Sequence, residues 1–154
     1  MKDVVLILDN IRSVHNVGSI FRTAETAGVS KVYCIGTTPT PRDRFSQKRK
    51  DFAKVALGAE DLVSWEYLEA GEALVRKLKK DGFQIVALEQ DEESVYYRKI
   101  KFGNKVALVV GNEVGGVSKS LLKLVDEIAE IPMKGKKESL NVSVATGIML
   151  FELI

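Results

Sequence analysis

The chain has 154 residues, 45% of them hydrophobic and 29% charged, with a formal net charge of +2; this length fits one domain that buries roughly two thirds of its unfolded surface. A single cysteine, Cys34, excludes a disulfide framework and any multi-cysteine metal site and points to a reducing, cytoplasmic location. No basic-then-apolar leader opens the chain, and no apolar run approaches the roughly 20 residues that span a bilayer.

In chain order, Val4 to Leu8 reads as a buried strand, followed by a loop and a helix near Val17 to Ala27 with Asn16 placed as its N-cap. On this helix Val17, Ile20, Phe21, Ala24 and Ala27 form an apolar stripe, while Gly18 and Arg22, four apart, lie on roughly the opposite side. Arg22 thus points away from its own core. It is either a solvated helix-face arginine or a group that reaches a subunit or substrate, with Gly18 leaving room for close approach. His15, the only histidine, reads as a turn residue before a general base.

Lys31 to Ile35 is the second strand, and the loop Thr37-Thr38-Pro39-Thr40-Pro41 leads from it into a basic run. There Arg42, Arg44, Lys48, Arg49, Lys50 and Lys54 outnumber Asp43 and Asp51. Alone, such a run is ordinarily a solvated loop. A second cluster, Lys134, Lys136 and Lys137, shifts the reading toward a phosphate backbone.

A weaker strand near Leu62 to Tyr67 precedes a helix over Leu68 to Lys80 and strands at Phe83 to Leu88 and Lys105 to Val110. A helix at Ser118 to Val125, a strand at Glu127 to Ile131 and a terminal helix to about Leu153 complete the chain. Apolar strands alternating with helices predict an α/β fold: one domain with a mostly parallel six-stranded sheet and helices on both faces.

Ligands of open α/β sheets bind at the carboxyl ends of the strands. One such end carries Gly111-Asn112-Glu113-Val114-Gly115-Gly116-Val117, whose glycines allow close approach of a ligand to the backbone. The G-x-G-x-x-G pattern is absent, and Val117-Ser118 stands where a P-loop needs Lys and Ser or Thr, which disfavours a triphosphate site and a generic nucleotide-binding enzyme. At the mouth of the last helix, Ser139 reads as the cap, Asn141 and Ser143 lie just inside, and Val144, Ile148 and Phe151 follow the spacing of a buried face.

Three of these segments form a set. Asn16 to Arg22 with its Asn-x-Gly-x-x-x-Arg spacing, Gly111-Asn112-Glu113 with Gly116, and Ile131-Pro132-Met133 with Ser139-Leu140-Asn141-Val142-Ser143 resemble the three motifs of the SpoU (TrmH-like) RNA ribose 2'-O-methyltransferases, in the SPOUT superfamily. Lys54-Val55-Ala56-Leu57-Gly58-Ala59-Glu60 is similar to the segment this family carries between the first and second motifs.

The resemblance implies a C-terminal deep trefoil knot, otherwise excluded by default, that forms a pocket for S-adenosylmethionine. Gly111, Ile131 and Leu140 match positions whose backbone holds the cofactor's adenosine, with Leu88, Glu89, Asn112 and Met133 on adjoining loops. It also implies a homodimer in which Arg22, the catalytic arginine, completes the partner's site. A guanidinium with a pKa above ~12 has no lone pair to act as a base. The expected role of Arg22 is therefore to stabilise the forming alkoxide, with Asn16, Ser139 and Asn141 orienting ribose and arginine and Glu113 ordering the loop or pairing with a basic group.

Many relatives carry a basic residue where this chain has Gly115. With the first strand starting at Val4, no separate N-terminal RNA-binding domain is expected, and tRNA or rRNA is expected to be held through Arg42, Arg44, Lys48, Arg49, Lys50 and Lys54, through Lys134 to Lys137, or by a partner. The alternative is a catalytically silent RNA-binding module on the same fold.

Overall fold

A computed structural model describes every residue from Met1 to Ile154. The elements run β1 (Asp3–Asp9), α1 (Val14–Thr26), β2 (Lys31–Ile35), α2 (Lys50–Ala56), α3 (Ala59–Leu62), β3 (Trp65–Leu68), α4 (Glu72–Lys80) and β4 (Gln84–Leu88). They continue with β5 (Val95–Tyr96), a 3-10 turn at Tyr97–Lys99, β6 (Lys105–Gly111), α5 (Lys119–Leu122), β7 (Glu127–Glu130) and α6 (Val142–Leu153).

The strands form one parallel sheet in the order β3-β2-β1-β6-β4-β7-β5. It has seven strands, one more than the six expected. The addition is β5, two half-exposed residues with no apolar run to announce them, held as an edge by pairing with Ala129 and Glu130 of β7.

Alternation along the central strands divides the core. Leu6, Leu8, Val106, Leu108 and Val110 face one side, under α1, α2 and α6, while Val5, Ile7, Ala107 and Val109 face the other, under α4 and α5. Strands buried on both faces are therefore apolar at every position, which is what makes them legible in the sequence. Cys34 lies in the first of these cores, where burial pushes its thiol up to about 12, so it is a packing residue.

Several local expectations are corrected. Leu62 ends α3 instead of starting a strand, Lys119–Leu122 is the helical part of the Ser118 to Val125 segment, and α4 begins at Glu72 because the chain through Leu68 is still pairing with β2. In α6 the buried residues are Val142, Thr146, Met149, Leu150 and Leu153. Val144, Ile148 and Phe151, expected inside, are 52%, 36% and 53% exposed. The helix is apolar around most of its circumference, so periodicity could not choose a face; docking on α1 and β6 does.

Gly18 is also corrected. It is buried, and a Cβ there would lie 3.0 Å from Val55 Cβ and 3.2 Å from Phe52 O, so the room it leaves is filled by α2. The connection from β4 to β6 passes through β5, with β7 lying between β4 and β5 although both precede it in the chain. Just after β5, Arg98 Nε lies 3.9 Å from Glu152 Oε2 near the end of α6.

Candidate active site

The loops after β1, β4, β6 and β7 meet at the carboxyl edge of the sheet. After β6 the chain turns back tightly: Asn112 N donates to Gly116 O at 3.2 Å and Gly116 N to Asn112 O at 2.8 Å. Asn112 holds the turn from inside, its Oδ1 accepting from Val114 N at 2.8 Å and Gly115 N at 3.2 Å, while its Nδ2 donates to Asn10 O at 3.0 Å. Any Cβ at Gly111 would strike the backbone of Gly116 and Val117, and Gly116 has φ +68°, so these two positions require glycine.

Carboxylates from neighbouring strands lash the exit of the turn. Glu89 Oε2 accepts from Val117 N at 2.9 Å and buried Asp9 Oδ2 from Ser118 N at 2.7 Å. With its other oxygen accepting from Gln90 N at 3.0 Å, Glu89 shapes the loop.

The helix caps differ from expectation, and the difference frees Asn16 and Ser139 from capping while fixing the amide of Asn141. Ser13, not Asn16, caps α1, its Oγ accepting from Asn16 N at 3.1 Å. Asn141, not Ser139, caps α6, its Oδ1 accepting from Ser143 N at 2.9 Å and Val144 N at 3.3 Å, with the Ser143 hydroxyl also donating to it. A cap fixes the direction of an amide, because the oxygen must face the N–H groups. Asn141 Nδ2 then points outward and donates to Asn16 Oδ1 at 3.2 Å, and Asn16 Nδ2 donates to Glu113 Oε1 at 2.7 Å. Residues 97 and 125 positions distant from Asn16 are thus joined through one side chain.

Beside this polar chain lies an open cleft of about 160 Å³. Leu88, Glu89, Gly111, Asn112, Ile131, Met133 and Leu140 all line it, as do Glu113 and Ser139. Its walls combine apolar side chains and glycine backbone with a polar rim, and the apolar part suits a flat heteroaromatic ring held by main-chain hydrogen bonds. Gln90, Val142 and Ala145 also line it and were not foreseen. The helical spacing of Val142 and Ala145 places them on one face of α6, a signal that the mistaken facing of that helix obscured.

Arg22 is not in this cleft. It is exposed on α1 and has no carboxylate within ion-pair distance in its own chain. His15 is exposed in the first turn of the same helix.

The basic run is partly spent on the fold. Lys48 Nζ lies 2.9 Å from Asp61 Oδ2 and 3.4 Å from Oε1 of buried Glu60, and hydrogen bonds to Asp61 and then Glu60 raise its pKa. Arg49 pairs with Asp51 at 2.8 Å and lowers that carboxyl's pKa chiefly through this hydrogen bond. Arg42, Arg44, Lys50 and Lys54 have no such partner, and Lys134, Lys136 and Lys137 are exposed beside the cleft.

The profile of the SpoU rRNA Methylase family matches residues 3–151. The chain belongs to this family. It is 37% identical over 154 residues to a tRNA (guanosine(18)-2'-O)-methyltransferase of Aquifex aeolicus (strain VF5), covering 98% of this chain and 68% of that protein. It is 36% identical over 150 residues to the 23S rRNA (guanosine-2'-O-)-methyltransferase RlmB of Escherichia coli (strain K12), covering 97% of this chain and 59% of that one.

Among solved structures, the AdoMet-bound rRNA methyltransferase from Sinorhizobium meliloti superposes with a TM-score of 0.87 at 34% identity, over 98% of this chain and 55% of that one. The Aquifex aeolicus TrmH/SpoU tRNA modifying enzyme superposes with a TM-score of 0.86, also at 34% identity, over 99% of this chain and 74% of the other. In this SpoU family member, the three segments singled out in the sequence therefore converge on one edge of the sheet. No helix is long and apolar enough to cross a membrane.

Proposed function

We propose that this protein is an RNA ribose 2'-O-methyltransferase that uses S-adenosylmethionine and acts on tRNA or rRNA. The observation that carries the reading is the continuous path Glu113, Asn16, Asn141 at the rim of the cleft, which joins all three motif segments in one hydrogen-bonded set. An intact network of this kind weighs against a silent RNA-binding module. The relatives named above act on guanosine in tRNA and in 23S rRNA, and the Sinorhizobium structure holds AdoMet.

The cleft fits that cofactor. Backbone at Gly111, Ile131 and Leu140 would hold the adenosine, Leu88 and Met133 would flank it, and Glu89 and Asn112 act by fixing the loop that supplies Gly111. When bound, S-adenosylmethionine would supply an electrophilic methyl group to the ribose 2'-oxygen, leaving as S-adenosylhomocysteine while the hydroxyl proton passes to water. Asn16, Ser139 and Asn141 orient the ribose, and Glu113 keeps the Asn16 amide turned. Arg22 stabilises the charge developing on the 2'-oxygen as a permanent donor.

Since Arg22 lies outside its own chain's cleft, the reading includes a homodimer in which the partner supplies it. The exposed stripe Val144, Ile148 and Phe151 on α6, beside α1, supports that interface. We further propose that residues 1–154 act as one SpoU-type domain in the cytoplasm, with RNA held through Arg42, Arg44, Lys50 and Lys54, Lys48 and Arg49 serving mainly to brace that segment. A deep C-terminal knot is supported by the insertion of β7 between the earlier strands β4 and β5.

The test is transfer of labelled methyl from S-adenosylmethionine to total tRNA and to rRNA, followed by mapping of 2'-O-methylated nucleotides. Transfer to a ribose oxygen is expected, and label on a base or no label overturns the reading. Arg22→Lys is expected to lose most activity without a new pH dependence. Retained activity that rises with pH through the lysine pKa would mean that residue 22 accepts a proton.

A further inference from the structure

The segment between β2 and α2 is an ordered hairpin that the cleft does not use. Arg42 and Lys48 form an antiparallel bridge. Asp43 N donates to Gln47 O at 2.9 Å, and Asp43 Oδ1 accepts from Phe45 N at 2.8 Å and Gln47 N at 3.0 Å. Arg42 Nη1 closes the loop on Ser46 O at 2.8 Å. The base is anchored to the body of the fold by Lys48 on Glu60 and by buried Thr38, whose hydroxyl accepts from Ile11 N and bonds to the carbonyls of Leu8 and Ile35. The loop leaves the carboxyl end of β2, the edge of the sheet that carries the cleft.

At the tip, Phe45 is 70% exposed, with the Arg44 guanidinium 4.9 Å from its ring centroid. A single exposed phenylalanine needs no explanation. This one differs in being held by a fixed loop, with a cation over part of its ring, in an exposed segment that also carries Arg42, Lys50 and Lys54, which have no carboxylate partner. Cations without carboxylate partners in the same exposed segment as an open aromatic ring match a phosphate backbone that offers a base for stacking. In an A-form duplex the faces of internal bases are already covered by their neighbours, so only an unpaired nucleotide can use the ring.

Resting on the RNA methyltransferase reading, we propose that the hairpin is a stacking finger: Phe45 takes the face of an unpaired substrate base while Arg42, Arg44, Lys50 and Lys54 follow the backbone. The finger therefore makes this protein prefer RNA that is single-stranded near the modified ribose.

The test measures binding of a fluorescent single-stranded RNA of about a dozen nucleotides, and of the same strand annealed to its complement, at several salt concentrations. Phe45→Ala is expected to weaken single-strand binding by about tenfold or more, to leave duplex binding within about twofold, and to leave the salt slope unchanged. Phe45→Trp should restore affinity and show tryptophan emission quenched by the single strand. Arg44→Ala should instead lower the salt slope by about one. Unchanged single-strand binding by Phe45→Ala, an equal loss on the duplex, or a change in oligomeric state by sedimentation would each overturn the finger. Titration of the wild type with S-adenosylhomocysteine separates the two readings: no binding there counts against the methyltransferase, whereas the RNA comparison decides the finger alone.

Discussion

Asn141 performs two tasks with one amide. Its oxygen caps α6 and its nitrogen holds Asn16, which in turn presents its own nitrogen to Glu113. Direction is set at one end, by the backbone N–H groups of the helix, and passed outward through side chains that can each be read only one way round. Asn141→Asp separates the tasks. Aspartate caps as well as asparagine and suits the positive end of the helix, so unfolding stability should stay within about 0.5 kcal/mol of wild type. The carboxylate then faces Asn16 Oδ1 with no donor, and methyl transfer should fall about 100-fold from misplacement of the groups proposed to orient the ribose. Activity near wild type would remove Asn141 from the positioning chain. At the same scale, Lys48 and Arg49 show why a basic run is not a binding site residue by residue: their charges are engaged by Glu60, Asp61 and Asp51, which sequence proximity alone does not assign.

At the scale of elements, α1 carries the site because α2 and α6 hold it from two sides. Phe21 of α1 meets Phe52 of α2 edge to face at 5.0 Å, and Gly18 lets the backbones close up behind that contact. In Gly18→Ala, the gain in helix propensity of about 1 kcal/mol is opposed by overpacking of about 1–3 kcal/mol against Val55 and the Phe52 carbonyl. A net destabilisation of about 1 kcal/mol is expected in urea unfolding, together with weaker RNA binding as α2 and the attached hairpin shift. Stabilisation by this substitution would mean that the helices separate without cost. Helices α2 and α3 were not foreseen, since Lys50–Ala56 and Ala59–Leu62 are short and lie in a charged stretch. Packing against α1, which buries Phe52 and Ala56, is what sustains them.

At the scale of the whole molecule, the cleft and Arg22 are separate within one chain, and the proposed dimer joins them. Complementation tests this directly. Arg22→Ala and Asn141→Asp subunits, each weak alone, should regain methyl transfer when unfolded together and refolded, because a mixed dimer contains one site with both residues intact. Mixtures no more active than their components would place Arg22 in service of its own cleft. Phe151, exposed on α6, offers a second readout: Phe151→Asp should shift sedimentation from dimer to monomer and abolish transfer, while S-adenosylhomocysteine still binds.

Apolar runs such as Val4 to Leu8 and Lys105 to Val110, and the glycine-rich turn after β6, were legible from the residues alone, while part of the cleft lining came only through the resemblance to SpoU sequences and part, as at Gln90 and Ala145, was not foreseen. A strand buried on both faces must be apolar throughout, and a glycine-rich turn leaves its mark in residue type. Which polar residue caps each helix, which side of α6 turns inward, which lysine meets Glu60, and the place of β5 beyond β7 were decided only by tertiary structure. Each is a choice among locally equivalent options: Ser139 and Asn141 are both competent caps, and α6 is apolar nearly all round. Such ties are broken by contacts with residues far away in the chain, as Asn16 shows by reaching both Glu113 and Asn141.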